Sequence, residues 1–230
     1  MKVELIHNTP LWVASKAIRK CWASEDKSDT EFTYETDRFD TCEKVECGEH
    51  TNFYMGTKDK ELIHRVGNKN KHSSTLEHLN YTFDIDGVSR ALLQEVARHR
   101  HASISVKSTR YTLKELKEEE PFEIYAGNTY NRTRDEEAER VSKYCVRATE
   151  YLDEAVAHAS MLNEIIDLLN DGMSNDKVKY LLPEAYKTSY IWTINARSLQ
   201  NFLSLRTNKS ALWEIRDLAY EIYKQLPEEH

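Results

Sequence analysis

Residues 98–110, RHRHASISVKSTR, place three arginines, one lysine, two histidines and three serines in thirteen positions, with no acidic residue. The chain as a whole is acidic, with 39 Asp and Glu against 32 Lys and Arg. A cationic segment inside an anionic protein points to a local anion site rather than a basic surface. Arginine forks match phosphate oxygens bidentately, and serine hydroxyls add donors. Two other readings stay open on these residues alone. One is a surface patch for RNA or DNA, against which stand the short cluster and a net charge of −7. The other is structural pairing of the arginines with the excess carboxylates. His99 and His101 lack a third ligand at suitable spacing, so no metal site is expected.

Two further stretches carry candidate groups. In His72-Ser73-Ser74-Thr75-Leu76-Glu77-His78, Ser74 and Glu77 have capping-box spacing, and the two histidines flank them. His78 matters chemically if the fold brings it to the cationic segment. In residues 195–206, a helix would put Asn195, Ser198 and Asn201 or Gln200 on a polar flank and Leu199, Phe202 and Leu203 on an apolar one. Arg206 would then end that helix. Glu95 precedes Arg98 by three residues, a spacing that lets them pair on a helix face. The cysteines (Cys21, Cys42, Cys47, Cys145) form no CxxC pair, and none has a clearly cationic neighbourhood of the kind a nucleophilic thiol needs.

The elements that must position these groups follow from periodicity and punctuation. Residues 2–7 alternate as a strand. Thr9-Pro10 has the form of an N-cap and first helical residue, opening a helix over 11–22. Residues 25–51 read as a solvated surface insertion. A helix over about 59–66 should stop at Gly67-Asn68. Residues 80–85 alternate as a strand, 86–89 form a turn ending in an N-cap, and 90–97 form a helix that delivers Arg98 at its C-terminus. Residues 103–113 read as loop and strand, 114–120 as a solvated charged run, and 128–135 as a polar loop. Apolar residues at steps of three and four predict one long helix over 136–170. Ser174 caps a short helix to 181, residues 188–194 form a strand, and Ser210 caps a last helix over 211–226. The set predicts a helix-rich α+β domain with a central, mostly antiparallel or mixed sheet.

At 230 residues the chain is expected to be a single domain, 1–230, with the insertion at about 25–51. No apolar run approaches the roughly 20 residues that span a bilayer, and the N-terminus lacks a signal-peptide core. A cytoplasmic address and no membrane or nucleic-acid partner are expected.

Spacing then separates the readings. Arg98-His99-Arg100, followed after seven residues by Ser108 and then Arg110, resembles the signature of flavin-dependent thymidylate synthases. His72-x-Ser74-x-x-Glu77-His78 is similar to that family's upstream flavin segment. Trp192-Thr193-x-Asn195-Ala196-Arg197-Ser198-Leu199-x-Asn201-Phe202-Leu203-x-Leu205-Arg206 is similar to its C-terminal segment. The blocks come in the family's order and cover roughly residues 72–110 and 172–220. The resemblance implies that family's fold, a homotetramer with active sites shared between subunits, and reductive methylation of dUMP to dTMP. Methylenetetrahydrofolate would give the carbon, and FAD would carry hydride from NADPH. His78, Asn80, Arg98, His99, Arg100, Asn195, Arg197 and Asn201 would hold FAD. Glu95, Arg98, Ser108, Arg110, Lys179 and Arg206 would hold dUMP, with Arg206 and Ser108 catalytic. Three positions depart from the common pattern: Glu95 where glutamine is frequent, Val106 where an acid is frequent, and Lys179 where arginine is frequent. A nucleotide- or RNA-binding protein using the Arg98–Arg110 site without catalysis is the alternative. It would not need His78 or the Asn195 block.

Overall fold

The computed structural model describes residues 1–33, 52–124 and 134–230. The chain opens with β1 (Lys2–Asn8) and α1 (Trp12–Cys21). Two short strands, β2 (Glu31–Thr33) and β3 (Asn52–Tyr54), pair antiparallel. Then come α2 (Thr57–Ile63), a π-helical continuation (His64–Lys69) and a 3-10 helix (Ser73–His78). Next are β4 (Asn80–Ser89), α3 (Arg90–Val96), β5 (Ala102–Val106) and the short helices α4 (Thr109–Thr112) and α5 (Lys114–Lys117). The helices α6 (Arg134–Ser142), α7 (Leu152–Asn170) and α8 (Asn175–Val178) precede β6 (Lys187–Asn195), α9 (Ala196–Arg206) and α10 (Trp213–Gln225).

Four strands form one antiparallel sheet in the order β1-β4-β6-β5. Alternation decides its faces. Tyr81, Phe83 and Ile85 on β4 and Tyr190, Trp192 and Ile194 on β6 are buried, while the residues between them are not. Their face packs with buried residues of α1, α2, α3, α9 and α10 into one core. A second core gathers α5, α6, α7 and α8, with Leu113, Leu116, Val141, Cys145, Leu162 and Ile165 fully buried.

Several local expectations change. The long helix over 136–170 is two helices. Between them Val146 N donates to Ala185 O at 2.8 Å, and Lys187 N donates to Tyr144 O at 2.7 Å. Cys145 and Tyr186 form an antiparallel bridge there, which takes the backbone out of the helix. Glu154 then accepts from Ala148 N and Thr149 N at 2.7 and 2.8 Å, tying the loop to α7. The apolar period crosses the break because both helices bury the same core. The run 114–120 is not merely solvated: Leu116 is buried, and Glu119 accepts from Arg140 at 2.8 Å and Tyr144 at 2.7 Å.

Gly67 does not end its helix but sits in the π turn, where a Cβ would lie 2.8 Å from Leu76. Thr9 does not cap α1; its hydroxyl accepts from Asn80 N at 3.1 Å and so pins β4. Ser210 hydrogen-bonds Asn208 instead of capping α10. Residues 86–89 continue β4, with a bulge at Asp86-Gly87 and Gly87 at φ +70°, and residues 109–112 are helical rather than strand. The expected insertion is anchored at its start. Asp59, fully buried, accepts from Arg19 at 2.5 Å and from Ser28 and Thr30 at 2.6 Å. Its part over 34–51, and the polar loop over 128–133, lie outside the described residues.

Candidate functional site

The site begins with how α3 is held. Ser89 caps it, its hydroxyl accepting from Leu92 N at 2.9 Å. Ser89 N in turn donates to the buried Glu214 of α10 at 2.8 Å, and the hydroxyl donates to the same carboxylate. The start of α3 is therefore fixed to α10. Past its end, His99 N bonds Val96 O at 2.9 Å, and His101 turns the chain with φ +60°. Ala102 then pairs with Ile194, so residues 98–101 arrive beside the start of α9.

Asn195 is the last residue of β6 and the N-cap of α9, its side chain accepting from Ser198 N at 2.9 Å. Helical spacing then lines up Ser198, Asn201, Leu205 and Arg206. The inner face of α9 is anchored by Phe202, fully buried, with ring contacts to Trp192 at 5.0 Å and His99 at 4.9 Å.

The two segments enclose a cavity of about 720 Å³. Arg98, His99, Arg100 and His101 line one side, and Asn195, Arg197, Ser198, Asn201, Leu205 and Arg206 the other, with Glu77 at its margin. Four guanidinium groups, set against the carboxylates of Glu77 and Glu95, leave the concavity net positive in an acidic protein, and its size suits a small-molecule ligand. Arg206 Nε donates to His99 Nε2 at 2.8 Å. Since Nε carries the hydrogen, His99 accepts there, and its own proton sits on Nδ1. Burial, followed by the Arg206 charge, holds the His99 pKa below its ordinary value and keeps the ring neutral. Arg206 also donates to Glu95 at 2.8 Å, closer than the 3.4 Å between Arg98 and Glu95. The pairing expected for Glu95 is present, but its shorter bond goes to Arg206. Arg197 pairs with Glu77 at 2.6 Å across the cavity margin, so Glu77 serves this pair and not a capping box.

Seven of the expected residues thus meet in one place: Arg98, His99, Arg100, Asn195, Arg197, Asn201 and Arg206. Glu95 lies behind Arg206. His78 and Asn80 stand beside the cavity without lining it; His78 is exposed, and Asn80 pairs with Asn195 across the sheet. Ser108, Arg110 and Lys179 lie elsewhere. β5 is five residues long, so it separates Arg100 from Ser108 by at least roughly 13 Å. Ser108 and Arg110 are exposed; Arg110 pairs with Asp176 at 2.6 Å, and its carbonyl accepts from Asn175 at 2.8 Å. Lys179 lies over the Tyr180 ring at 5.5 Å. One chain does not bring these three to the cavity. Glu77, His101, Ser198 and Leu205 also line the cavity, and the sequence reading gave none of them a site role. Ser198 stood on the polar flank read beside Asn195, and Glu77 and His101 lay inside the two stretches singled out.

Among the described residues no group of His, Cys, Asp and Glu could hold a metal ion, and no helix is long and apolar enough to cross a membrane. Cys21 is exposed. Cys145 is buried, which pushes its thiol up to about 12, and neither lines the cavity.

Residues 4–230 match the family described as thymidylate synthase complementing protein. The flavin-dependent thymidylate synthase of Wolinella succinogenes is 50% identical over 232 residues, covering 100% of this chain and 95% of that protein. That of Campylobacter jejuni strain RM1221 is 51% identical over 231 residues, covering 100% and 94%. A crystal structure of thymidylate synthase X from Helicobacter pylori with FAD and dUMP superposes with a TM-score of 0.80 at 44% identity, covering 100% of this chain and 95% of the other.

Proposed function

The chain belongs to the flavin-dependent thymidylate synthase family, and from that premise we propose how its residues divide the conversion of dUMP to dTMP. The observation that carries the reading is the single cavity shared by the Arg98–His101 turn and the Asn195–Arg206 helix. The binding-only alternative loses its motive, because it had no use for the Asn195 block.

FAD suits this donor set. Its pyrophosphate requires several cations in one place, and Arg98, Arg100 and Arg197 offer exposed guanidinium groups around the concavity. Asn195 and Asn201 add amide groups, His99 a neutral ring, and His78 and Asn80 flank the margin. When bound, the flavin supplies hydride chemistry between NADPH and the one-carbon unit of methylenetetrahydrofolate. The chain's own task is orientation and charge. Arg206 faces the uracil of dUMP, where a fixed guanidinium stabilises negative charge developing on the ring. Arg98 holds dUMP from the flavin side. Ser108, Arg110 and Lys179 hold the phosphate and sugar, Ser108 doing so while the ring reacts.

Those last three do not line the cavity of their own chain, and we assign them to a neighbour's. A homotetramer with shared sites resolves the separation along β5. The surface around them favours self-association: Val106, Tyr111, Tyr180 and Leu181 are large, apolar and exposed at 40%, 71%, 82% and 54%. We propose further that residues 1–230 act as one domain and that the protein works in the cytoplasm.

The test is direct. Purified protein should carry flavin absorbance, oxidise NADPH faster with dUMP present, and form dTMP once methylenetetrahydrofolate is added. A flavin-loaded protein that forms no dTMP under these conditions would overturn the assignment.

A further inference from the structure

Arg206 carries five N–H groups, and the described residues engage three of them. Nε donates to His99 at 2.8 Å, one terminal nitrogen donates to the Glu95 carboxylate at 2.8 Å, and the other reaches the Glu95 carbonyl at 3.5 Å. Glu95 grips Arg206 with side chain and backbone together. Its other carboxylate oxygen lies 3.4 Å from Arg98. Burial sets this pair apart. The Arg206 and Glu95 side chains keep 17% and 29% exposure, against 57% and 45% for Arg197 and Glu77. Exposed pairs contribute little and exchange readily with solvent or ligand. A charged hydrogen bond in a half-buried setting is held more firmly.

We propose that Glu95 is a positioning residue: in place of the direct hold on dUMP that the resemblance implied, it fixes the Arg206 guanidinium so that the two remaining N–H groups face the uracil. This rests on the placement of dUMP beside Arg206 given above. An arginine is long and rotamer-rich, so fixing it beforehand removes an ordering cost from substrate binding. Glu95 lies in the last turn of α3 and Arg206 ends α9, so their bond ties the two helices together behind the cavity. A glutamine at this position keeps an acceptor oxygen for the same N–H and removes only the charge. Alanine removes both.

The experiment is a thermodynamic cycle on dUMP affinity in the flavin-loaded protein, using wild type, Glu95→Ala, Arg206→Ala and the double variant. Glu95→Ala should weaken dUMP binding about tenfold in the wild-type background and not at all in the Arg206→Ala background. Glu95→Gln should recover most of the affinity. Flavin absorbance and the thermal midpoint report folding. If Glu95→Ala does not fold, Glu95→Met fills the space without an acceptor and replaces it in the cycle. Equal losses in both backgrounds mean that Glu95 acts on dUMP itself, and no loss in either means that it does nothing for Arg206; both results overturn the proposal. A wild-type protein that binds no dUMP overturns the placement of the substrate instead.

Discussion

At the residue scale, the site is a set of arginines distinguished by what each is paired with. Arg206 is half-buried between Glu95 and His99, whereas Arg197 pairs with the exposed Glu77. Their variants should differ accordingly. Arg206→Ala should lower dTMP formation by about 10²-fold or more, as expected when a donor to developing charge is removed. A cooperative melt, with a midpoint lowered by the loss of the Glu95 and His99 bonds, separates this effect from unfolding. Glu77→Gln should act in the opposite direction on the cofactor. It frees Arg197 for an anionic ligand, so titration of the flavin-stripped protein should show FAD binding tighter by about two- to fivefold. Weaker binding would mean that Glu77 itself supports the cofactor.

The histidines add a pH dependence at the same scale. Burial lowers the pKa of His99, His158 and His230. The folded protein therefore binds fewer protons than the unfolded chain, and stability rises with pH across that window. The contribution is fully present above the ordinary histidine value of about 6.5 and is lost as pH falls through the folded values. Thermal melts should show midpoints dropping below about pH 6.5. The drop should be smaller in His99→Gln, which removes one of the three contributors.

At the element scale, the site depends on two helix starts. Asn195 caps α9, and Ser89 caps α3 while donating to Glu214. Ser89→Ala removes the cap and leaves Glu214 with one partner fewer in a buried place. It should cost about 1–3 kcal/mol, read from denaturant melts with an unchanged m-value. The Ser89 cap was legible in the sequence as the end of a turn before an apolar run, whereas Asn195 was read as part of the polar flank of its helix and not as its cap, and Ser210, in a similar local setting, caps nothing. The alternation of β4 and β6 was equally legible. What escaped was set by partners far along the chain. Residues 144–151 leave the helical path because residues 185–187 pair with them, although the apolar period runs on without interruption. Glu77 has capping-box spacing, but Arg197, 120 residues away, claims its carboxylate. Glu95 was readable as a partner of Arg98 by spacing alone, whereas its shorter bond to Arg206 depends on where α9 ends.

At the scale of the whole molecule, the candidate site was legible as a list and not as an arrangement. Arg98, Ser108 and Arg110 stand within thirteen residues, yet β5 carries the latter two away from the cavity. A shared site requires each chain to give one wall and borrow the other. Chains carrying Arg206→Ala retain intact Ser108, Arg110 and Lys179, and chains carrying Arg110→Ala retain an intact cavity. Co-expressed and purified as mixed assemblies, the two should regain dTMP formation well above either variant alone, because some sites combine the two intact walls. Mixed assemblies that stay as inactive as their parents would contradict a site built from two chains.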